Sequence, residues 1–196
     1  MANFYPFLAY VFVTTFTPGP NNILSMTNGV RLGYRRTLPF LLGMTTGFFV
    51  IMLISGLLNV VLVGLLPSVK FWLTLLGAAY MLYLAAHILL SKPADVEEPG
   101  GIRLDTFKAG FGLQFVNLKG ILYGVTVFAT FIVQSYQNPL IVSLFAPLLS
   151  VVGFSAVSTW AIGGSLFRPL LTKYNRPFNA AMAGLLVYTA IASLWH

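Results

Sequence analysis

Long apolar stretches separated by short polar gaps make up almost the whole chain. Six such stretches of about 20 residues or more occur, at about 4–27, 38–65, 69–90, 109–133, 139–164 and 177–195. A hydrocarbon layer about 30 Å thick is crossed by about 20 apolar residues in a helix, so each stretch is long enough to span a bilayer. The pattern predicts an all-α integral membrane protein with six transmembrane helices.

The composition supports this class and excludes others. Of the 196 residues, 58 % are hydrophobic and 8 % are charged, which is unlike a soluble domain. The net charge of +7 comes from basic residues scattered between apolar stretches, so no nucleic-acid partner is predicted. Cysteine is absent, and the carboxylates lie in one polar gap without histidine. The sequence therefore predicts neither a metal site nor a cofactor.

The basic residues are shared unequally between the two ends of the predicted helices. Nine lie in the first, third and fifth gaps: Arg31, Arg35, Arg36, Lys92, Arg103, Lys108, Arg168, Lys173 and Arg176. The opposite side has Lys70 alone. Because cytoplasmic loops carry an excess of Lys and Arg, the odd-numbered loops are predicted to be cytoplasmic and both termini to lie outside. Aromatic residues near the proposed span ends, Trp160 among them, fit an interfacial belt.

The gap at about 91–108 is the only sizeable polar stretch. It holds all four acidic residues, Asp95, Glu97, Glu98 and Asp105, and its prolines and glycines are typical of a flexible linker. We expect it to join two halves of one transporter domain, at about 1–90 and 109–196. With three helices each, the second half enters the membrane in the opposite sense, as in many secondary transporters. Close packing of helices is predicted at Gly43 with Gly47, Gly120 with Gly124, and Ala180 with Gly184.

The first apolar stretch is interrupted by helix-breaking and polar residues. They run consecutively as Thr17, Pro18, Gly19, Pro20, Asn21 and Asn22. The two prolines lack an N–H, so the carbonyls of Thr14 and Phe16 lose their helical partners. Inside a bilayer such a break is tolerated only where it is buried or lines a cavity. Broken helix 1 is therefore a candidate solute-binding element.

The fourth apolar stretch carries the corresponding polar cluster of the second half. Its polar members are Gln114, Asn117 and Lys119, and Lys119 is the only full charge deep within a predicted span, since Lys70 lies at the edge of the stretch 69–90. A lysine there costs about 3 kcal/mol on insertion scales and is functional by default. We therefore predict that helix 4 is also broken and that the two breaks meet.

Two other classes of membrane protein, an enzyme and a small pore, are alternatives to a transporter. A membrane enzyme would need a nucleophile with its base, but no aspartate lies within a span to support Ser25 or Ser55, and His87 lies at the cytoplasmic end of the third stretch. The chain is therefore predicted not to be an enzyme. A small pore could use the same breaks as a constriction and stays an alternative. A homodimer also stays open, because six helices are few for a transporter.

Several motifs resemble the lysine-exporter superfamily of bacterial amino-acid exporters. The similarity lies in Phe16-Thr17-Pro18-Gly19-Pro20-Asn21, in the glycines at 29, 33, 43 and 47, in Gly77-Ala78-Ala79-Tyr80, and in Phe115-Val116-Asn117-Leu118-Lys119. The resemblance runs along the whole chain. It implies six transmembrane helices in the bacterial inner membrane and export of small amino acids from the cytoplasm driven by protons. In that membrane, the outside termini predicted from the positive-inside rule are periplasmic. Within the superfamily, the sequence reads closest to exporters of cysteine and O-acetylserine; exporters of homoserine, threonine or leucine share the main motif.

A binding hypothesis follows from the two polar clusters. The substrate carboxylate would meet Lys119 and the helix start after Pro20, where backbone N–H groups are free. The substrate ammonium would meet the carbonyls freed by the prolines, with help from Asn21 and Asn117. Further hydrogen bonds would come from Thr17, Asn22 and Gln114. No acidic residue lies in a span, which argues against basic substrates and leaves Lys119 as the remaining candidate to exchange a coupling proton.

Overall fold

The chain folds as an assembly of helices. A computed structural model describes residues 4–62, 75, 78–79, 82–83, 85–86, 88–90, 106–136 and 138–194. None of these residues lies in a β-strand, and those between 75 and 90 are helical. Most of the predicted linker at 91–108 and most of the third apolar stretch lie outside the described residues, so both stay predictions.

The first half begins with three consecutive helices: α1 (Phe4–Phe16), α2 (Pro20–Leu32) and α3 (Tyr34–Leu62). The first predicted stretch is thus two helices with a break, because Pro18 and Pro20 cannot supply the N–H groups that a continuous helix needs. Gly33 ends α2 with φ 77°, a left-handed value that glycine adopts at little cost, and its N–H donates to Gly29 O. The chain turns directly from α2 into α3.

Within residues 106–136 and 138–194, the structure has five helices and one π-helical turn. They are α4 (Phe107–Val116), α5 (Leu118–Val127), the π-turn (Phe128–Ile132), α6 (Pro139–Leu166), α7 (Arg168–Lys173) and α8 (Asn175–Leu194). The fourth predicted stretch is bent by 64° between α4 and the segment that starts at Leu118. The predicted break in helix 4 is therefore present, and it lies at Asn117.

Glycines set the distance between the helices that carry the site. A Cβ built on Gly47 would lie 2.7 Å from Phe111 O and 2.8 Å from Gln114 Cγ, so α3 and α4 touch backbone to backbone. The predicted packing role of Gly43 is confirmed, because its Cβ would overlap Phe107 O. Gly43 faces Phe107 and Gly47 faces Phe111, so α3 and α4 run in the same direction. Ala180 and Gly184 differ from the prediction, since both are exposed.

Two apolar clusters surround the breaks. One is built mainly from α2, α3, α4, α6 and α8, with Ile23, Leu41 and Leu186 fully buried. The other joins α1, α3, α5, the π-turn and α6 through aromatic contacts, including stacked rings of Tyr10 and Tyr123 at 5.8 Å.

Among the described residues, α3 and α6 are long and apolar enough to cross a membrane. The bent pair of α4 with Leu118–Ile132 makes a third such element. The chain is therefore an all-helical, multi-pass membrane protein. The count of six spans stays a prediction.

Candidate functional site

The carbonyls left by the first break have new partners. The Thr17 hydroxyl donates to Thr14 O at 3.0 Å, and the Trp160 indole Nε1 donates to Phe16 O at 3.2 Å. These are the two carbonyls that the prolines deprive of N–H donors. The sequence identified them correctly, and the protein supplies one donor to each, which leaves one lone pair of each carbonyl oxygen. Their contact with a substrate ammonium stays a prediction. Trp160 thus makes a specific hydrogen bond as well as contributing an aromatic ring.

Asn22 closes the break from the α2 side. Its buried side-chain amide donates to Thr15 O at 2.9 Å and to Thr17 O at 2.8 Å. These bonds tie the end of α1 to the first turn of α2 across the two prolines. Asn22 therefore acts first as a structural link of the break, although it also lines the cleft described below.

Asn117 makes the second break. The residue follows the end of α4, and its side-chain oxygen accepts from Gly120 N at 3.4 Å at the start of α5. An asparagine in this position compensates for a free N–H of the new helix, which allows the chain to bend without proline. The same side chain donates from Nδ2 to Asn21 Oδ1 at 2.9 Å. One residue thus starts α5 and joins it to α2.

The two breaks meet in a cluster of three amides. Asn21 and Gln114 exchange two hydrogen bonds, at 3.0 Å from Asn21 Nδ2 and at 3.1 Å from Gln114 Nε2. Asn21 Oδ1 accepts a further bond from Asn117. Gln114 is fully buried and reaches the cleft only through Asn21, whereas Asn21 and Asn117 line it. The predicted meeting of the two breaks is present, and the amide groups bind each other within it.

Lys119 extends from the first turn of α5 to the first break. Its ammonium donates to Thr17 O at 2.9 Å, to Thr17 Oγ1 at 3.1 Å and to Pro18 O at 3.3 Å. No acidic residue occurs among the described residues, so Lys119 has oxygen dipoles and no carboxylate around it there. Its positive charge is thus left without a counter-charge in that part of the chain.

A cleft of about 550 Å³, counting its open side, lies between the breaks. On one side, the cleft is lined by residues at the two breaks, among them Gly19, Pro20 and Lys119. On the other side, it is lined by residues of α3 and α6: Thr45, Phe48, Gly153 and Val157. A mainly apolar lining with a few polar groups is typical of small-molecule sites. Because Gly19 and Pro20 line it, the start of α2 opens onto this cleft.

Tyr123 lines the cleft but lies outside the two polar motifs from which the site was predicted. Its side chain is 4 % exposed and lines the cleft, and its hydroxyl has no hydrogen-bond partner of good geometry among the described residues. Thr15, the neighbouring polar side chain, donates instead to Val11 O at 2.5 Å. A spacing of four residues from Lys119 places Tyr123 on the same helix face, which was the available signal.

Comparison with known proteins places the chain in a family. Residues 12–195 match the model of the LysE type translocator, so the chain belongs to that family. The cysteine/O-acetylserine efflux protein of Klebsiella pneumoniae is 42 % identical over 188 residues, covering 94 % of this chain and 93 % of that protein. The proteins of that name from Salmonella typhi and Escherichia coli K12 are 38 % and 37 % identical, and in each case 94 % of both chains is covered. No solved structure matches the chain.

The family confirms two predictions. The superfamily resemblance is correct, and the chain is a translocator rather than an enzyme.

All nine predicted site residues lie at or beside the meeting of the two breaks: Thr17, Pro18, Gly19, Pro20, Asn21, Asn22, Gln114, Asn117 and Lys119.

Proposed function

We propose that this protein exports small neutral amino acids of the cysteine and O-acetylserine type from the bacterial cytoplasm. The observation that carries the proposal is Lys119, a cation in an otherwise largely apolar cleft with no carboxylate among the described residues. Such a cation favours an anionic group on the ligand, and a substrate carboxylate supplies one. The names of the similar proteins point to cysteine and O-acetylserine as the first substrates to test.

The absence of acidic side chains limits the substrate class. All four acidic residues of the chain belong to the segment 91–105. A basic amino acid would bring a second positive charge beside Lys119, where no described carboxylate could compensate it. The site therefore favours neutral substrates. Homoserine, threonine and leucine are the neutral alternatives within the superfamily.

We further propose six transmembrane helices in two inverted halves, at about 1–90 and 109–196. Two features support this arrangement. The helices α3 and α4 run in the same direction, as the second and fourth spans of such a chain must. Tyr34 N donates to Ser165 Oγ at 3.3 Å, so the first and fifth loops lie side by side. Together with the positive-inside pattern, this favours a cytoplasmic end at the basic loops and periplasmic termini.

Export is proposed to be coupled to protons, with Lys119 as the exchanging group. The described spans contain no aspartate or glutamate that could form a carboxylate relay, which leaves Lys119 as the group that can exchange a proton. A homodimer in the lipid bilayer is also proposed, and the exposed small residues at 180 and 184 suit a close contact between helices.

Transport by purified protein in proteoliposomes tests the proposal. Liposomes are loaded with unlabelled cysteine, O-acetylserine, threonine, leucine or lysine, and uptake of labelled O-acetylserine by counterflow is measured. We expect strong stimulation by cysteine and O-acetylserine, little by lysine, and saturation with substrate. Stimulation by lysine equal to that by cysteine would overturn the substrate class, and unsaturable flux would indicate a pore. A pH gradient imposed without substrate gradient tests coupling: uphill movement is expected, and its absence would refute proton coupling.

A further inference from the structure

The ammonium of Lys119 occupies a small site made of oxygens. Two backbone carbonyls and one hydroxyl, all from Thr17 and Pro18, accept hydrogen bonds from it at 2.9 to 3.3 Å. An ammonium group has three donors and no acceptor, so three oxygens match its hydrogen-bonding capacity. The α-ammonium of an amino acid has the same donors and the same charge.

These oxygens differ from the other acceptors of the break in accessibility. The carbonyls of Thr15 and Phe16 are held by Asn22 and Trp160, which are fixed by their packing in α2 and α6. Thr17 and Pro18 are exposed, and the donor they share sits at the end of a flexible side chain. Asn22 also donates to Thr17 O at 2.8 Å, and Lys119 uses the second lone pair of that carbonyl. These oxygens lie beside the cleft, next to the lining residues Gly19 and Lys119, and become accessible to a ligand when Lys119 moves away.

Gly19 provides the space in which Lys119 docks. A Cβ on Gly19 would lie 2.9 Å from Lys119 Cδ and 3.1 Å from Nζ. The lysine side chain therefore lies directly over the backbone of the break. Because only the far end of a flexible chain is involved, it can leave this position without moving a helix.

We propose that the oxygens of Thr17 and Pro18 form the binding site for the substrate's ammonium, and that Lys119 fills this site while the transporter is empty. This inference rests on the proposed function. When a zwitterion enters, its ammonium replaces that of Lys119 at the oxygens, and Lys119 moves to the substrate carboxylate. The substrate's ammonium takes the place of the Lys119 ammonium, so the oxygens of Thr17 and Pro18 keep a donor. The substrate's carboxylate gains the Lys119 ammonium as its counter-ion. The Lys119 ammonium thus competes with the substrate's ammonium for the oxygens of Thr17 and Pro18.

The exchange predicts how incomplete substrates behave. A primary amine without a carboxylate displaces Lys119 but leaves two cations side by side at the first break, which is unfavourable. A carboxylate without an amine draws Lys119 away, so Thr17 Oγ1 and Pro18 O lose its ammonium donor and Thr17 O keeps only Asn22. Both should bind the native protein much more weakly than the amino acid.

The test measures binding of cysteine, cysteamine and 3-mercaptopropionate to purified protein by calorimetry. Cysteamine is cysteine without the carboxylate, and 3-mercaptopropionate is cysteine without the amine. In Lys119→Met, we expect cysteine affinity to fall and cysteamine affinity to rise about tenfold, because the competing ammonium is gone. Lys108→Met, which removes an exposed lysine at the start of α4, should leave all three affinities unchanged.

A second variant keeps the lysine. Thr17→Val removes one of the three oxygens and so weakens the docking of Lys119. We expect the ratio of cysteine affinity to 3-mercaptopropionate affinity to fall severalfold, since the lysine is freer to meet a carboxylate while the ammonium site is poorer. This variant tests the inference even if Lys119→Met does not yield folded protein.

The outcomes separate the inference from the proposed function. If native protein binds cysteine but Lys119→Met gains no affinity for cysteamine, the exchange is wrong and the export of amino acids stands. An unchanged affinity ratio in Thr17→Val would overturn it in the same way. If native protein binds neither cysteine nor O-acetylserine, the proposed substrate class fails and the exchange fails with it.

Discussion

Replacing Gly47 with alanine should move the two breaks apart without removing any polar group. Gly47 lies on α3 where that helix meets α4. The added methyl would lie 2.7 Å from Phe111 O and 2.8 Å from Gln114 Cγ, whereas ordinary contacts begin near 3.4 Å. The helices must therefore move apart by about 0.6 to 0.7 Å, and Gln114 moves with α4. That displacement lengthens both hydrogen bonds between Gln114 and Asn21.

The expected cost comes from comparison with a matched glycine. Overpacking of a close contact costs about 1–3 kcal/mol. A change from glycine to alanine within a helix also gains up to about 1 kcal/mol from helix propensity. Gly112 on α4 is exposed, and a Cβ there meets no described atom within 4 Å. The difference between the two variants cancels the propensity gain and leaves the packing penalty of about 1–3 kcal/mol.

Equilibrium unfolding in mixed detergent micelles measures this difference, and counterflow in proteoliposomes measures its effect on transport. We expect Gly47→Ala to be less stable than Gly112→Ala and slower in counterflow, while Gly112→Ala matches the native protein in transport. If the two variants have stabilities within about 0.5 kcal/mol of each other, the backbone contact between α3 and α4 is not as close as described.

Two further predictions concern the amides and the cleft wall. Gln114→Leu leaves Asn21 Nδ2 without its acceptor and should lower the free energy of unfolding by about 1–2 kcal/mol. A double-mutant cycle with Asn21→Ala should give a coupling of about 1 kcal/mol, and simple additivity would show that the pair is not formed. Tyr123→Phe should weaken cysteine binding by up to about tenfold in calorimetry, because the buried hydroxyl has no partner of good geometry among the described residues and a ligand that displaces the cleft wall would provide one. Tyr136→Phe is the control, and equal binding by both variants would remove Tyr123 from the site.

The sequence predicted the first break more fully than the second. Pro18, Gly19 and Pro20 end a helix through covalent geometry, which is local and readable in the chain. The second break has no proline, and its position depends on the side chain of Asn117 accepting from Gly120 N and donating to Asn21. Polarity located this cluster, but the exact bend could not be predicted because it depends on a partner far away in sequence.

Long-range partners explain the other differences. The carbonyls of Thr14 and Phe16 were predicted to be free, which is correct for an isolated helix. The structure supplies the Thr17 hydroxyl and the Trp160 indole, and the second of these comes from residue 160, separated from Phe16 by 144 positions. No local pattern identifies such a donor. Tyr123 was missed for the related reason that an aromatic residue in an apolar helix is ordinary until the cleft beside it is known.

The contact between Lys119 and the first break also bears on the insertion of the chain into the membrane during synthesis. Lys119 and its acceptors at Thr17 are separated by 102 positions in sequence. Synthesis proceeds from the N-terminus, so the oxygens enter the membrane well before the lysine. A charge arriving alone in lipid would be costly, but this one arrives where acceptors already exist. The order of the two breaks along the chain therefore favours insertion of Lys119 into the membrane, because the neutral oxygens that accept its hydrogen bonds are inserted first.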